Sequence, residues 1–287
     1  MPLPLIVLAS VICALDVFIL LLPRILRSRG VFLYPRTKFG PALVFDSNDD
    51  EGTEVRLLNV GGKFQSICYV AHELRYRLVC VYHLYFSQVV QMQGEVHAAS
   101  AEGRDTRRKA LVIGGGGYSF PKWLVSDNDD VDVTVVEIDE VVTKIAREHF
   151  YLDELIREFD AERGGRLRLV CDDGWAFLGN ADERFDIIVN DAFGGRKPLG
   201  PLATQEGAQA VLEHLSPTGV YLANVISPLE GSTKKTKILR DSLDACKDAF
   251  EHVYLIPEDG DDPTIVGDNV LAASNARLPL AKAYVIK

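Results

Sequence analysis

The sequence predicts an α/β protein whose main body is a mostly parallel sheet with helices on both faces. The first observation is a series of short apolar segments with helical patterns between most of them; the apolar segments are residues 110–113, 131–138, 166–171, 185–189 and 219–226. Alternation of this kind is typical of right-handed crossovers that build a buried parallel sheet. Two further short strands, at 252–256 and 269–274, would complete the sheet.

Length and composition are the second observation. The chain has 287 residues, of which 47% are hydrophobic and 25% are charged, so it can form one large α/β domain with appendages or two smaller domains. With 31 Lys and Arg against 41 Asp and Glu, the net charge of -10 argues against nucleic-acid binding. The five cysteines are scattered and form no C-x-x-C pair, which predicts neither a disulfide framework nor a metal site.

Residues 1–30 form a separate hydrophobic helix in this interpretation. Residues 3–22 are almost entirely apolar and have about the length that a helix needs to cross a bilayer. The first arginines all follow this run, at Arg24, Arg27 and Arg29, which predicts a single-pass anchor with the rest of the protein on the cytoplasmic face of the cell membrane. Asp16 argues against a membrane span, because inserting a carboxylate into the membrane costs about 2.5–3.5 kcal/mol of free energy. A buried amino-terminal helix, or one between subunits, is the alternative.

Residues 31–105 predict a small antiparallel β domain followed by a helix. Runs with β character at 42–45, 54–60 and 64–70 are separated by clusters of Asn, Asp and Gly, which are turn signals. The apolar stretch 72–92 then has a helical pattern on more than one face, which indicates a well-buried helix. Residues 106–287 would hold the main domain.

The first loop of the main domain is rich in glycine. In a parallel α/β sheet, ligands bind beyond the carboxyl ends of the strands, so the residues directly after each strand are the candidates. Gly114, Gly115, Gly116 and Gly117 follow the first strand and let the backbone approach a ligand without Cβ atoms in the way. Ser119 is a candidate N-cap of the next helix. Because Ser119 stands where a dinucleotide fingerprint has its third glycine, the match to NAD or FAD binding is weak.

Acidic residues follow the next three strands. Glu137 ends the second strand, Asp173 with Gly174 follows the third, and Asp191 follows the fourth. Any one of these carboxylates could be a solvated cap, and Asp139 is read as the N-cap of the following helix. Three acids at one sheet edge beside a glycine loop favour a cationic ligand, such as a sulfonium nucleoside or an amine, over a pyrophosphate.

Four segments, in order, resemble one family. LVIGGGGYSFPKWL, VTVVEIDEVV, VCDDGWAFL and FDIIVNDAFGG look like the motifs of the spermidine synthase (polyamine aminopropyltransferase) family, in particular its spermidine-synthase-like bacterial branch, and the resemblance runs from about Val55 to Val270. It implies a small β domain before a Rossmann-like, class I methyltransferase-type domain. It also implies decarboxylated S-adenosylmethionine as donor, a small-molecule amine as acceptor, and a homodimer, which is common in the family.

Site roles follow from the resemblance. It implies that Gly114 to Gly117 line the nucleoside thioether, that Glu137 holds the ribose, and that Asp173 with Gly174 holds the adenine. Asp191 would receive the proton of the attacking amine. Further candidates for substrate binding are Gln65 in a G-x-x-Q pattern, the pair Tyr82 and His83, and Tyr118; the pair lies further from Gln65 than in the family pattern.

Three departures affect the acceptor half of the site. Gly117 stands where the family's glycine loop has an aspartate (G-G-G-D-G), and Gly194 stands where its D-S-x-D motif has a second acid. The later aromatic residue has no evident equivalent in EDGDDPTIVGDN. Losing carboxylates forfeits charge-assisted hydrogen bonds of roughly 1.5–3 kcal/mol each, which makes putrescine a doubtful acceptor.

The leading hypothesis is an aminopropyl transfer from decarboxylated S-adenosylmethionine to an amine, in which Asp191 acts as general base or orients the nucleophile and no metal takes part. One alternative is a methyltransferase that uses S-adenosylmethionine itself. Another is a catalytically inactive protein that binds a nucleoside and signals through its membrane helix. A dinucleotide oxidoreductase is the most distant alternative.

Overall fold

The computed structural model describes residues 21–100, 107–192, 200–258 and 261–287. The predicted anchor at residues 3–22 lies outside these ranges except for its last two residues, and it stays a prediction. Residues 21–27 are helical. Within the four described ranges, no helix combines the length and the apolarity that a bilayer crossing requires.

The amino-terminal part folds as the antiparallel sheet that the turn signals predict. Its four strands follow one another in space as they do in sequence: β1 (Phe32–Thr37), β2 (Gly40–Asn48), β3 (Glu54–Val60) and β4 (Lys63–Tyr69). The β3–β4 turn uses Gly61 and Gly62 with φ values of 59° and 79°. A Cβ on Gly61 would lie 2.3 Å from the carbonyl oxygen of Phe39, so the turn also requires glycine for space.

One long helix connects this small sheet to the main domain. The apolar pattern predicts it over 72–92, but residues 72–74 form only a 3₁₀ turn and the helix α1 spans Val81–Ser100. It buries Tyr82, His83 and Phe86 near its amino end. Toward the other end, the guanidinium of Arg108 donates to the Val90 carbonyl oxygen at 3.0 Å. The helix is therefore fixed to the main domain, and its first turn lies at the edge of the main sheet.

The described residues of the main domain form one sheet of seven strands, in the order β10-β11-β9-β8-β5-β6-β7. Their bounds are β5 (Arg108–Ile113), β6 (Val131–Glu137), β7 (Leu167–Cys171), β8 (Phe185–Asn190), β9 (Leu215–Ser227), β10 (His252–Ile256) and β11 (Gly267–Ser274). All neighbouring pairs are parallel except those of β11, which lies antiparallel between β9 and β10. The predicted mixed α/β fold with a mostly parallel central sheet is confirmed.

Both faces of this sheet are covered, as a doubly wound arrangement requires. The further helices are α2 (Ser119–Asp127), α3 (Glu140–His149), α4 (Leu152–Glu158), α5 (Gly174–Gly179), α6 (Gln205–His214) and α7 (Lys237–Ala249). Val112 and its equivalents on neighbouring strands pack with α1 to α4 in one core, whereas Leu111 and its equivalents pack with α5 to α7 in the other. Successive residues of β5 alternate between the two cores, which is the period-two pattern of a strand buried on both sides.

Two helix boundaries differ from the sequence interpretation. The sequence has one continuous helical pattern over residues 139–159, but the structure divides this stretch into α3 and α4 at Tyr151. Tyr151 takes a left-handed conformation (φ 60°), and its hydroxyl donates to the Val70 carbonyl oxygen at 2.6 Å. Ser119 is not an N-cap: Tyr118, at φ 57°, holds that position, and Ser119 is the first helical residue. Its hydroxyl instead donates to the Ile67 carbonyl oxygen of β4 at 2.9 Å, which ties the two sheets together.

Candidate active site

A cavity of about 290 Å³ opens at the carboxyl edge of the main sheet. At this place β5 lies between β6 and β8. This is the reversal point at which doubly wound sheets bind ligands. The predicted residues that line it are Gln65, His83, Gly114, Gly115, Gly116, Glu137, Asp173, Gly174 and Asp191. Side chains from the small sheet, from α1 and from four strand ends of the main sheet thus surround one space.

Gly114 has no room for a side chain. Its φ is +95°, and a Cβ there would lie 2.5 Å from the carbonyl oxygen of Asp191. The backbone of the glycine loop therefore passes directly against the end of β8. The next two amides, of Gly115 and Gly116, donate to Oε2 of Glu137 at 2.8 and 3.3 Å. The loop is fixed between the ends of β6 and β8, the two strands that flank β5.

Gly117 and Tyr118 lie beneath the loop and not in the cavity wall. A Cβ on Gly117 would lie 2.7 Å from Oγ of Ser66, so this glycine permits the small sheet to pack closely. Tyr118 is fully buried, and its hydroxyl shares a hydrogen bond of 2.8 Å with Oγ1 of Thr143. The resemblance places both residues next to a ligand; the structure places both in the core, because the left-handed conformation of Tyr118 turns its ring under Gly115.

Glu137 is buried at the end of β6 and also accepts a hydrogen bond from the Asp139 amide, at its other carboxylate oxygen, at 2.9 Å. Burial raises the pKa of Glu137, whereas the three backbone amides oppose this shift. A carboxylate has about four lone-pair positions, so acceptor capacity for ligand hydroxyls remains. Asp139 caps α3 by accepting from the Val141 amide at 3.0 Å, as predicted.

Asp173 and Gly174 form the start of α5. Oδ1 of Asp173 accepts from the amides of Trp175 and Ala176, at 3.0 Å in both cases, so one oxygen is used as an N-cap. A Cβ on Gly174 would lie 2.3 Å from Cγ2 of Ile113, which means that only glycine lets α5 begin against the end of β5. Both residues line the cavity, so this helix start forms part of the cavity wall.

Asp191 follows β8 directly, and two side chains donate hydrogen bonds to its carboxylate. Its Oδ2 accepts from Nε2 of His83 at 3.0 Å and from the hydroxyl of Tyr82 at 3.3 Å. Its Oδ1 is buried without a hydrogen-bond partner among the described residues. The Tyr82–His83 pair, which the sequence could not connect to this acid, therefore meets it from the first turn of α1.

The His83 ring is fixed in place. Its side chain is 6% exposed, and it stacks on the ring of Phe120 with centroids 5.5 Å apart and planes 19° from parallel. Burial and the nearby Asp191 charge raise the pKa of Tyr82 well above its usual value, so its phenol stays a donor. Two donors thus hold one oxygen of Asp191 while the other faces no donor among the described residues.

Other cavity residues could not be predicted from the sequence. They are apolar or aromatic, come from scattered positions, and belong to no sequence motif that indicates a site: Phe39, Leu58, Val60, Phe120, Trp175 and Leu202. The lining contains no Lys or Arg in the part of the chain that the structure describes. Within the same ranges, no group of three or more His, Cys, Asp or Glu side chains is arranged to hold a metal ion. The described wall is consequently largely apolar, with the carboxylates of Glu137, Asp173 and Asp191 among its polar groups.

Comparison with solved structures identifies the class of fold. A probable spermidine synthase from Corynebacterium glutamicum superimposes with a TM-score of 0.65 at 20% identity, covering 86% of this chain and 80% of the other. A spermidine synthase in complex with the transition-state analogue AdoDATO gives 0.61 at 18% identity, covering 86% and 74%. At these identities the likeness shows the fold alone, which is of the class I methyltransferase type.

Comparison of sequences identifies the family. Residues 82–261 match the family model of the spermine/spermidine synthase domain, which is more than half of the chain. The chain therefore belongs to this family, and the resemblance of its motifs is confirmed.

Two curated relatives match over similar stretches. A polyamine aminopropyltransferase of Thermococcus kodakarensis is 32% identical over 154 residues, covering 51% of this chain and 50% of the relative. A protein of Drosophila pseudoobscura pseudoobscura, an eEF1A lysine and N-terminal methyltransferase homolog, is 29% identical over 158 residues, covering 52% and 22%. The chain thus spans about half the length of the first relative and less of the second.

Proposed function

We propose that the protein is an aminopropyltransferase that takes decarboxylated S-adenosylmethionine as donor and an amine as acceptor. The observation that carries the proposal is Asp191, which lines the cavity together with the glycine loop and which two donors hold at one oxygen, while its second oxygen is buried without a donor among the described residues. Membership of the spermine/spermidine synthase family and the likeness to a polyamine aminopropyltransferase support it.

The residues present fit an adenosyl sulfonium compound. Glu137 has the acceptor capacity for the ribose hydroxyls, and the oxygen of Asp173 that does not cap α5 can accept from the adenine amino group. Gly114 to Gly116 leave space for the sulfur and its substituents. The carboxylates and the absence of Lys and Arg from the described lining favour a net positive donor.

The reaction would be an in-line displacement. The lone pair of a neutral acceptor nitrogen forms a bond to the aminopropyl carbon, the bond from that carbon to sulfur breaks, and its electron pair stays on sulfur, which becomes the neutral thioether of methylthioadenosine. The attacking nitrogen gains a positive charge and loses a proton to Asp191. His83 and Tyr82 keep the carboxylate in one orientation, so that positioning supplies much of the acceleration.

Turnover of the full chain with decarboxylated S-adenosylmethionine and a panel of amines tests this proposal. Asp191→Asn keeps the shape of the side chain but cannot take the proton, and we expect its kcat to fall by about 10²–10⁴-fold, while the affinity for methylthioadenosine stays the same. Asp186→Asn, at the amino end of the same strand, is the matched control and should retain turnover. Full activity of Asp191→Asn would refute the assigned role; no turnover of any amine by the wild type would refute the activity.

A methyltransferase is the second candidate, because the eEF1A methyltransferase homolog matches over a similar length. The two donors differ by one carboxylate, which needs a cationic or amide partner when buried. Since the described lining holds three carboxylates, of Glu137, Asp173 and Asp191, which would repel a further one, we expect calorimetry to show tighter binding of the decarboxylated compound. Tighter binding of S-adenosylmethionine would favour methyl transfer instead.

A further inference from the structure

Hydrogen bonding holds the His83 imidazole at one ring atom only. Its Nε2 lies 3.0 Å from Oδ2 of Asp191 and, because an ionised carboxylate can only accept, Nε2 carries the proton of this bond. Its Nδ1 is buried and has no partner among the described residues. A hydrogen bond to the second ring nitrogen is what commonly fixes the proton and the orientation of a functional imidazole. That restraint is missing from the described surroundings of His83.

A single hydrogen bond does not fix the orientation of an imidazole ring. The terminal torsion of a histidine side chain is broad and roughly two-fold. A half-turn about the Cβ–Cγ bond of His83 would exchange Nε2 with Cε1, so that a carbon would face Asp191 and the hydrogen bond would be lost. Packing against the faces of the ring is therefore the restraint that keeps Nε2 on Asp191.

Phe120 covers one face of the His83 ring. The centroids of the two rings are 5.5 Å apart and their planes are 19° from parallel. The rings of Tyr82 and Phe86 also contact His83, but their planes are tilted by 44° and 54°. A turn about the Cβ–Cγ bond moves the imidazole out of its own plane, and a ring stacked nearly parallel to it directly opposes that movement. Phe120 is the neighbour best placed to do so.

Phe120 is itself held on several sides. Its side chain is 1% exposed. The Trp123 ring stacks on it with centroids 5.5 Å apart and planes 25° from parallel, and the Phe86 ring meets it edge to face at 5.4 Å. The residue before it, Ser119, is bound through its hydroxyl to the small sheet. Phe120 consequently cannot move aside to make room for a turning imidazole.

We propose that Phe120 is a positioning residue for the proton acceptor, which keeps the His83 imidazole in the orientation that donates to Asp191. This inference rests on the proposed function, in which Asp191 takes the proton of the amine. Phe120 has no polar group and takes no part in the proton transfer, so it acts through His83. Because it lies in the first turn of α2, directly after the glycine loop, it also joins that loop to the first turn of α1.

Phe120→Leu and Phe120→Tyr separate the flat ring from the apolar bulk. Leucine is also apolar but offers no flat surface to His83, whereas tyrosine keeps the ring. We expect kcat to fall by about 10- to 100-fold in Phe120→Leu and to be largely restored in Phe120→Tyr. Phe120 also lines the cavity, so calorimetry with methylthioadenosine is measured alongside, and the loss in kcat should exceed the loss in affinity.

Phe250→Leu is the matched control. Phe250 is also 1% exposed, but it lies in the core on the other face of the main sheet and is not part of the cavity wall. It should lose unfolding free energy to a similar extent as Phe120→Leu, while its kcat stays at the wild-type value. An equal fall of kcat in both leucine variants would show that lost stability accounts for the effect, and it would overturn the positioning role. A kcat of Phe120→Tyr as low as that of Phe120→Leu would also overturn it.

Nuclear magnetic resonance of the His83 side chain gives a readout that needs no turnover. The Nε2 proton, assigned by its absence from His83→Gln, should give a signal protected from exchange in the wild type, in Phe120→Tyr and in Phe250→Leu. It should be lost by exchange in Phe120→Leu. An unchanged signal in Phe120→Leu, or no signal in the wild type, would refute the inference. Loss of the signal in Phe120→Leu, together with a wild type that turns over no amine, would uphold the action of Phe120 on His83 and refute the proposed function.

Discussion

Replacement of Gly114 by alanine should disturb both the close packing at the site and the backbone conformation, and a control glycine separates the two effects. A Cβ at this position would meet three backbone atoms: the Asp191 carbonyl oxygen at 2.5 Å, its carbon at 2.8 Å, and Cα of Ala192 at 2.9 Å. Backbone atoms cannot rotate away as a flexible side chain can. Either the glycine loop or the end of β8 must therefore move.

The size of the movement follows from these distances. Ordinary contact of a Cβ begins at 3.4 Å, so the Asp191 backbone has to shift by about 0.9 Å. A misplacement of about 1 Å at a reacting group can cost about 100-fold in rate. The left-handed φ of +95° adds strain, of about 1–2 kcal/mol for a residue with a Cβ. We expect Gly114→Ala to lose about 100-fold in kcat/KM and more stability than the strain alone accounts for.

Gly52→Ala is the matched control. Gly52 has a similar φ of +84°, but a Cβ there meets nothing within 4 Å. It should lose about 1–2 kcal/mol of unfolding free energy and retain full turnover. Urea unfolding and steady-state kinetics of both variants measure these quantities. Wild-type kcat/KM in Gly114→Ala would refute the argument that the loop must pass against Asp191, as would an equal loss of activity in Gly52→Ala.

Two further predictions concern packing and charge. Gly174→Ala should weaken methylthioadenosine binding by about tenfold or more, because its Cβ would lie 2.3 Å from Cγ2 of Ile113. The same substitution should lose less affinity in an Ile113→Ala background. An equal loss of affinity in both backgrounds would contradict the contact. Asp130→Asn should lower the free energy of unfolding by about 1 kcal/mol at neutral pH, because it weakens the hydrogen bonds from the buried Arg108. The loss is small because solvent partly screens the half-exposed carboxylate of Asp130. Arg108 lowers the pKa of Asp130 below 3.8, so this stabilisation is present above that pH and is lost as the pH falls through the folded-state value. Urea unfolding at several pH values should show the two proteins converging in acid; a constant difference down to pH values below about 3 would be inconsistent with this origin.

The sequence predicted the main sheet well because a strand buried on both faces is apolar at nearly every position. β8 is buried throughout, and its pattern admits few other interpretations. The helix boundaries were less predictable, since they depend on tertiary contacts. Tyr118 and Tyr151 take left-handed conformations that their residue type disfavours, and in each case a distant hydrogen bond holds the hydroxyl. Nothing local in the sequence marks either position.

The candidate site likewise contains residues that could be predicted from the sequence and residues that could not. Glu137, Asp173 and Asp191 could be predicted because they follow strands directly, and parallel strands end at a common edge. The contact of His83 with Asp191 joins residues 108 positions apart, and it depends on where α1 begins.

A crystal structure of the protein with methylthioadenosine tests the central claim most directly. The account expects the nucleoside in the cavity between the glycine loop and Asp191, with its ribose hydroxyls within hydrogen-bond distance of Glu137 and its adenine amino group near Asp173. A nucleoside bound elsewhere on the molecule, or a cavity that stays free of it at a concentration where calorimetry shows saturation, would contradict the account.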